Sequence, residues 1–379
     1  MREILFVAGE SSGDLHASGV AAAIRARAGD RYHLAGIGGD RMRDAGVELL
    51  EHAERLAVMG FVEVLEHVPR HWALLRQLRE RLRSGDVAAL VLIDYPGFNM
   101  KLAAEAREAN VPVVYYVTPQ VWAWHWSRVH KLARTVTRAA VILPFEERLL
   151  RDAGIDATFV GHPLLDRADA MPDRAAARAA LGIAPDAKLL ALFPGSREQE
   201  IARHLDLFVA TARELQQRIP GLDVVVSGAP HVRIEPARCP YRVIQGQSFG
   251  VLRAADAAMC KSGTTTLEAA VAGCPFVLAY RTSAITYAAA RALVRIPHIG
   301  LVNVVAGHQV APEFVQDEAR PVAVADALER LLDPASAQAI RMRDELAAVR
   351  ARLGSRGAAD RVATMVLELA DAAHPSRVA

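Results

Sequence analysis

The sequence predicts an α/β protein of two consecutive strand–helix domains, and three observations carry that reading. Short apolar runs of strand length, such as Ile4–Ala8, Val87–Ile93 and Leu189–Phe193, are each followed by a polar or Gly/Pro turn and then a helical pattern. The chain's 379 residues are about twice the length of an ordinary domain. Each half also carries ligand-type turns after its strands, at the edge where open parallel sheets bind ligands.

In the first half, the strand Ile4–Ala8 runs through Gly9-Glu10-Ser11-Ser12-Gly13-Asp14 into the helix Leu15–Ala28, with Ser12 and Asp14 as candidate caps or ligand contacts. His33–Ile37 is a second strand. The Gly36-Ile37-Gly38-Gly39 at its end departs from the dinucleotide fingerprint, because Arg41 stands where the third glycine belongs. The stretch Ala57–Arg83 is apolar from Val58 to Val62 and again at Val64, Leu65 and Val68. Pro69 then opens a helix with Trp72, Leu75, Leu78 and Leu82 near helical spacing, among Arg70, Arg76, Arg79, Arg81 and Arg83. Such a segment is either a core helix with a solvated basic face or a docking surface for anionic lipid.

Asp94 ends the strand Val87–Ile93, ahead of the turn Tyr95–Asn99 and the helix Met100–Ala109. A carboxylate there suits a general base, or an Asx turn or cap. The strand Val113–Val117 precedes Thr118-Pro119-Gln120 and a loop holding Trp122, Trp124 and Trp126. Those indoles suit a sugar, a lipid interface or a plug beneath the loop. Val141–Leu143 and Thr158–Val160 complete the strands, and Gly161-His162-Pro163 marks the exit.

In the second half, a connecting helix, Arg174–Leu181, precedes the strand Leu189–Phe193. After it, Pro194-Gly195-Ser196 breaks the chain and Arg197 sits in the first turn of a helix. Such a turn aims N–H groups and the positive end of the helix dipole at one point, and Arg197 adds a guanidinium. It reads as a phosphate seat or as an ordinary βα turn. Leu222–Ser227, Arg242–Ile244 and Asp256–Cys260 are further strands. A second such turn, Lys261-Ser262-Gly263-Thr264, follows, without a Walker A frame. Glu268, one turn into the next helix, is a candidate for a ribose diol, or an acidic residue favoured by the dipole. Phe276–Ala279 is another strand. Asn303, in apolar Ile299–Val305, needs partners, whether ligand or backbone. From Arg320 the chain is mostly helical.

With 52% hydrophobic residues, 23% charged and a net charge of +2, the chain is globular and not a strongly basic nucleic-acid binder. Three cysteines, Cys239, Cys260 and Cys274, lack metal-type spacing and suit a reducing compartment. No signal-peptide pattern and no apolar stretch of spanning length are present, so peripheral membrane attachment is the form left open. No Asp-x-Asp pair occurs, so no metal site of that type and no cofactor are expected.

Eight motifs in order give the chain a specific resemblance. They are Ser12-Gly13-Asp14-Leu15-His16-Ala17, Met59-Gly60-Phe61-Val62-Glu63-Val64, Asp94-Tyr95-Pro96-Gly97-Phe98-Asn99 and Pro119-Gln120-Val121-Trp122-Ala123-Trp124, then Val160-Gly161-His162-Pro163-Leu164, Pro194-Gly195-Ser196-Arg197, Ser262-Gly263-Thr264 through Leu267-Glu268, and Leu301-Val302-Asn303 before Pro312-Glu313-Phe314. Together they resemble the lipid-A-disaccharide synthase family along nearly the whole chain. Two segments depart from the common family pattern: Thr118-Pro119-Gln120 stands for Ser-Pro-Ser, and Leu301-Val302-Asn303 for Leu-Pro-Asn.

The resemblance implies a GT-B type fold, with two Rossmann-like domains facing across a cleft. Residues 1–165 would face acceptor and membrane, and 166–335 would hold the UDP-sugar. Residues 336–379 would pack back on the first domain or be exchanged in a homodimer. It implies inverting transfer from UDP-2,3-diacylglucosamine to 2,3-diacylglucosamine 1-phosphate at the cytoplasmic face of the inner membrane. Asp94 and Arg197 would be catalytic. Ser12, Gly13, Asp14, His16, Asn99, Gln120 and Trp122 would bind substrate in the first domain. Gly195, Ser196, Ser262, Gly263, Thr264, Glu268 and Asn303 would do so in the second. Met59, Phe61, Val62, Leu65, Trp72 and Leu75 would dock on the membrane. A UDP-N-acetylglucosamine 2-epimerase, which shares the nucleotide turns, and a non-catalytic nucleotide-sugar scaffold are the alternatives.

Overall fold

The computed structural model describes all residues except 56–60, 125, 231, 285, 289–295 and 374–379; at 61–70, 123, 124 and 169 it describes the backbone alone. The chain divides into two units, Met1–Pro163 with Gly354–Ala379, and Leu164–Leu353.

Unit 1 alternates strands and helices: β1 (Arg2–Ala8), α1 (Ser11–Ala28), β2 (Tyr32–Gly38), α2 (Asp40–Asp44), β3 (Glu48–His52), α3 (Phe61–Arg83), β4 (Val87–Ile93), α4 (Pro96–Glu108), β5 (Val113–Tyr116), α5 (Val121–Trp124), β6 (Arg138–Val141), α6 (Pro144–Asp152) and β7 (Ala157–Phe159). Its parallel sheet has the order β3-β2-β1-β4-β5-β6-β7. The central strands are buried on both faces, which is why they read as unbroken apolar runs. Edge strand β3 is half-exposed and mixes Leu with Glu and His, so no apolar run announces it. Helix α3 starts at Phe61 rather than at Pro69, and the pattern continues through the proline.

Unit 2 repeats the plan with β8 (Leu189–Phe193), α7 (Glu198–Arg218), β9 (Asp223–Gly228), β10 (Arg242–Gln245), β11 (Ala257–Cys260), α8 (Thr265–Ala272), β12 (Phe276–Tyr280), α9 (Leu301–Ala306), β13 (Glu313–Val315) and α10 (Ala337–Arg352). Its parallel sheet runs β10-β9-β8-β11-β12-β13.

The last stretch divides differently from the expected break at 336. Helix α10 belongs to unit 2, whereas α11 (Ala358–Ala372) belongs to unit 1. Val362, Val366 and Ala370 recur at four-residue spacing and join Val20, Ala21 and Ile24 of α1 in one core. Each buried valine of this kind contributes about 1.5–3 kcal/mol. Arg27–Asp360 and Arg31–Asp371 ion pairs and the Tyr32 hydroxyl on Asp371 fasten its outer side. Gly161 takes φ +78°, and a Cβ there would come within 2.5 Å of the Ser355 carbonyl oxygen. Only glycine lets the outgoing and returning chain segments lie that close.

Candidate active site

In each sheet the strand order reverses once, between β1 and β4 in unit 1 and between β8 and β11 in unit 2. Such a reversal opens a crevice beyond the strand ends, because the connections leave it in opposite directions. The turns singled out in the sequence fall there: Gly9–Glu10 into the first turn of α1, Asp94 after β4, Pro194–Arg197 after β8 and Lys261–Thr264 after β11. Register pairs Ala8 with Ile93 and Phe193 with Cys260, so the turns of each pair begin level.

In unit 1, Asp94 and Tyr95 both take left-handed backbone, φ +47° and +49°. For a non-glycine residue this costs about 1–2 kcal/mol each. Neighbouring groups hold the turn there. The Asn99 amide donates to the Asp94 carbonyl at 2.8 Å and to the Ile93 carbonyl at 3.2 Å. The Tyr115 hydroxyl donates to the same Asp94 carbonyl at 2.8 Å. The Tyr95 ring lies over Gly9, where a Cβ would come within 2.3 Å of it, and it stacks near the Phe98 ring, 5.9 Å between centroids. The half-buried Asp94 is therefore a carboxylate on a fixed turn, the arrangement that a positioned base needs. Asn99, expected at the ligand, is fully buried and shapes that turn instead.

Asp14 is likewise a correction. Its buried carboxylate accepts the N–H groups of Gly39 at 2.7 Å, Met42 at 3.0 Å and Arg41 at 3.2 Å. It thus caps α2 rather than its own helix or a ligand. Gly13, also buried, lets α1 approach β1, since a Cβ there would lie 3.2 Å from that of Ala8. Ser12 is exposed. His16 is half-buried, with its ring 5.9 Å from that of Tyr116. Burial, with His16 nearby, holds the His162 imidazole down at about 3, so it is neutral near pH 7.

Trp122 is a plug. Its indole N–H donates to Glu146 Oε1 at 2.9 Å and its ring meets Phe145 edge-on at 4.8 Å. Glu146 Oε2 also accepts the Leu143 N–H at 3.1 Å. Burial pushes the Glu146 carboxyl up to about 7. The Trp122 N–H is therefore engaged in bracing its loop and its ring is half-buried, whereas Gln120 and Trp126 are exposed.

Of the expected docking residues, Met59 and the side chains of Phe61, Val62 and Leu65 lie outside the described residues. Leu75 is a core residue with Leu74, Leu78 and Leu82. Trp72 is 59% exposed. It borders two apolar grooves of about 360 and 230 Å³, rimmed by Arg76, Lys101 and an Arg79–Glu105 ion pair at 2.9 Å. The Lys101 ammonium sits 5.1 Å from the Trp72 ring centroid, a cation–π distance.

In unit 2, Gly195 has φ +145°, and a Cβ there would come within 2.5 Å of Glu200 Cβ. The Ser196 N–H, expected to face a phosphate, donates to Glu200 Oε2 at 2.9 Å. Lys261 Nζ donates to Glu200 Oε1 at 2.7 Å. Burial raises the Glu200 carboxyl, but Lys261 and the Ser196 N–H outweigh it and leave the group below its ordinary value. Arg197 is the exposed N-cap of α7, 3.8 Å from the same carboxylate. In the second turn, the Ser262 hydroxyl donates to the Ile299 carbonyl at 2.7 Å, Gly263 has φ +150°, and Thr264 is exposed at the start of α8.

Glu268 is half-buried, 3.6 Å from Arg167, whose guanidinium lies 5.0 Å from the Phe249 ring centroid. Burial pushes this carboxyl up, against the pull of Arg167 and Ser248. Asn303 is 0% exposed and saturated. Its amide donates to the Ala311 carbonyl and to Glu313 Oε1, both at 2.8 Å, and its oxygen accepts the N–H groups of Val310 and Ala311. It braces the loop behind the second turn, with all of its side-chain hydrogen-bonding capacity spent within the protein. Among the described residues no group of three His, Cys, Asp or Glu side chains is placed to hold a metal ion.

A model of the family described as lipid-A-disaccharide synthetase matches residues 4–363. The chain belongs to the lipid-A-disaccharide synthase family. A lipid-A-disaccharide synthase of Trichlorobacter lovleyi is 40% identical over 377 residues, covering 98% of both chains. One of Myxococcus xanthus is 42% identical over 375 residues, covering 97% of both. The family makes the chain a UDP-sugar glycosyltransferase of lipid A biosynthesis. Among solved structures, the calicheamicin glycosyltransferase CalG4 aligns over 99% of this chain and 100% of its own, with TM-score 0.62 and 18% identity. A UDP-GlcNAc 2-epimerase from Neisseria meningitidis aligns over 97% and 98%, with TM-score 0.64 and 10% identity. These likenesses speak for the fold alone, which is of GT-B type. The family match, not the fold, separates the synthase reading from the epimerase one.

The sequence assigned no individual role to Glu146, Glu200, Lys261 or Glu313, although Lys261 opens the second turn and Glu313 lies in the last motif. Glu146 and Glu200 stand in the first turn of their helices and reach back to the N–H groups of Leu143 and Ser196, but with Leu143 and Arg197 at the N-caps the sequence carries no capping-box signature. The Lys261–Glu200 bond joins residues 61 apart and left no local signal.

Proposed function

We propose that the chain transfers 2,3-diacylglucosamine from UDP-2,3-diacylglucosamine to the 6-hydroxyl of 2,3-diacylglucosamine 1-phosphate, giving the β-1′,6-linked disaccharide 1-phosphate and UDP. The supporting observation is the opposite chemistry at the two strand-order reversals: a fixed carboxylate in unit 1, and glycine turns with cations in unit 2. In this reading unit 1 takes the acceptor and unit 2 the donor. Asp94 accepts the hydroxyl proton as the acceptor oxygen attacks the anomeric carbon from the face opposite UDP. The bond to UDP breaks, its electron pair leaves with the diphosphate, and Arg197 with the turn around Gly263 and Thr264 neutralises that charge. Glu268 accepts the ribose hydroxyls, while Ser12, His16 and Gln120 contact the acceptor.

Acylated substrates reside in a membrane, and the exposed Trp72 with its apolar grooves and cationic rim suits an anionic lipid surface. Peripheral attachment at the cytoplasmic face of the inner membrane belongs to the proposal; among the described residues no helix is long and apolar enough to cross a membrane. So does a homodimer, in which α11 of one copy would use the surface of α1 on the other.

A radiolabel transfer assay in mixed micelles, with chelator present, tests the reaction. Wild type is expected to yield labelled disaccharide and Asp94→Asn none above background. A folded, UDP-binding wild type that makes no disaccharide would refute it. For the surface, flotation of Trp72→Ser combined with Met59→Ser, Phe61→Ser and Leu65→Ser on anionic vesicles is expected to fall well below wild type, and unchanged flotation would sink the docking claim.

A further inference from the structure

Glu200 and Lys261 join the two turns of unit 2 at one point. Lys261 follows β11 directly and Glu200 lies in the first turn of α7, so neither turn by itself forms the pair. The partners meet at 2.7 Å, and each side chain is 18% exposed. Gly195 is needed for this arrangement on grounds of space, and Gly263 on grounds of its backbone, φ +150°. A Cβ at Gly195 would come within 2.5 Å of Glu200 Cβ and displace it, whereas one at Gly263 would lie at ordinary contact distance, 3.7 Å, from the Lys261 ammonium. The same carboxylate takes the Ser196 N–H at 2.9 Å and lies 3.8 Å from Arg197. One carboxylate thus collects a donor from the first turn and the cation of the second. An ammonium carries three donors, and the bond to Glu200 uses one. Among the described residues Glu200 is the ion-pair partner of Lys261.

We propose that Lys261 binds the diphosphate of the donor, and that Glu200 is the positioning residue that holds its ammonium between the two glycine turns. This rests on the UDP-sugar reading above. The carboxylate stays in place when the ligand binds. It limits the rotamers of a flexible lysine, and the diphosphate meets an ammonium already directed at the seat. The cation count at the seat rises from Arg197 alone to two, and the first turn contributes its backbone shape rather than the Ser196 N–H.

Calorimetric titration with UDP and with uridine tests this on five proteins: wild type, Lys261→Met, Lys261→Arg, Glu200→Gln and the double variant Lys261→Met/Glu200→Gln. Lys261→Met is expected to weaken UDP about tenfold or more, as loss of a charge-assisted contact does, and to leave uridine unchanged. Lys261→Arg recovers part of the loss. Glu200→Gln weakens UDP a few-fold in the wild-type background and adds nothing once Lys261 is gone. Should Lys261→Met not fold, Lys261→Gln replaces it, since it keeps a donor to Glu200 without the charge. Wild-type UDP affinity in the Lys261 variants overturns the inference. Equal effects of Glu200→Gln in both backgrounds reduce Glu200 to a helix cap and also overturn it, and tighter UDP binding by Glu200→Gln does so by making the carboxylate a competitor. A wild type that binds no UDP removes the UDP-sugar reading itself, and the inference with it.

Discussion

The two strand-order reversals share a parallel topology and are held in opposite ways. In unit 1 the turn after β4 is a strained backbone locked by a buried amide, two tyrosines and a glycine beneath an aromatic ring. In unit 2 the turns after β8 and β11 meet through an ion pair near an exposed arginine. The topology supplies a crevice in both cases, and the residues at the turn decide what it does. A base must be held at a fixed position, which packing and strain achieve. An anion seat needs positive charge at the right place, which salt-bridged cations and helix N-termini achieve. Unit 1 should therefore be sensitive to volume, and unit 2 to charge.

The largest expected effect breaks the chemical half of that contrast. Asp94→Asn should lower kcat by about 10²-fold or more while leaving UDP affinity as in wild type. Near-normal turnover would end the base assignment. Next comes the brace behind the second turn of unit 2. Asn303→Ala strips four bonds from a fully buried site and should destabilise the protein by about 2–4 kcal/mol in urea unfolding. A neutral result would mean that loop 310–313 does not depend on it.

Gly9→Ala puts a methyl against the Tyr95 ring and should cost about 1–3 kcal/mol, with a fall in kcat and little change in UDP binding. A loss of UDP binding instead would contradict the division of labour between the units.

The smallest effect concerns Glu146. Burial raises its folded pKa from 4.5 to about 7, so the folded protein keeps a proton that the unfolded chain releases. Its contribution to stability is full below 4.5 and is lost as pH rises toward about 7. Glu146→Gln should therefore remove this slope from the stability profile between acid and neutral pH, read from urea midpoints. An unchanged profile would show that the carboxyl titrates normally.

Much of the fold was legible because doubly covered strands must be apolar throughout. The edge strands β3 and β13 were not, because half-exposed segments such as Glu48–His52 follow no such rule. The site divides the same way. Gly195, Arg197, Gly263 and Asp94 announce themselves through residues adjacent in the chain. Asp14, Trp122 and Asn303 had the right composition for ligand contacts, yet their polar groups are engaged by the protein itself, as are the amide N–H groups of Asn99. For Asp14 those partners lie 25 to 28 residues away, beyond the reach of a local pattern.

By itself the sequence determined the alternation of strands and helices, the turns that end the strands, and the family to which the chain belongs. All three depend on neighbours in the chain or on motif order. The tertiary structure alone decided which polar residues are already satisfied, that the return to unit 1 begins after α10 rather than before it, and that Lys261 is paired with Glu200 across two turns. Each of these is settled by contacts between segments distant in sequence, where burial forces a polar group to find a partner and the fold determines which one is within reach.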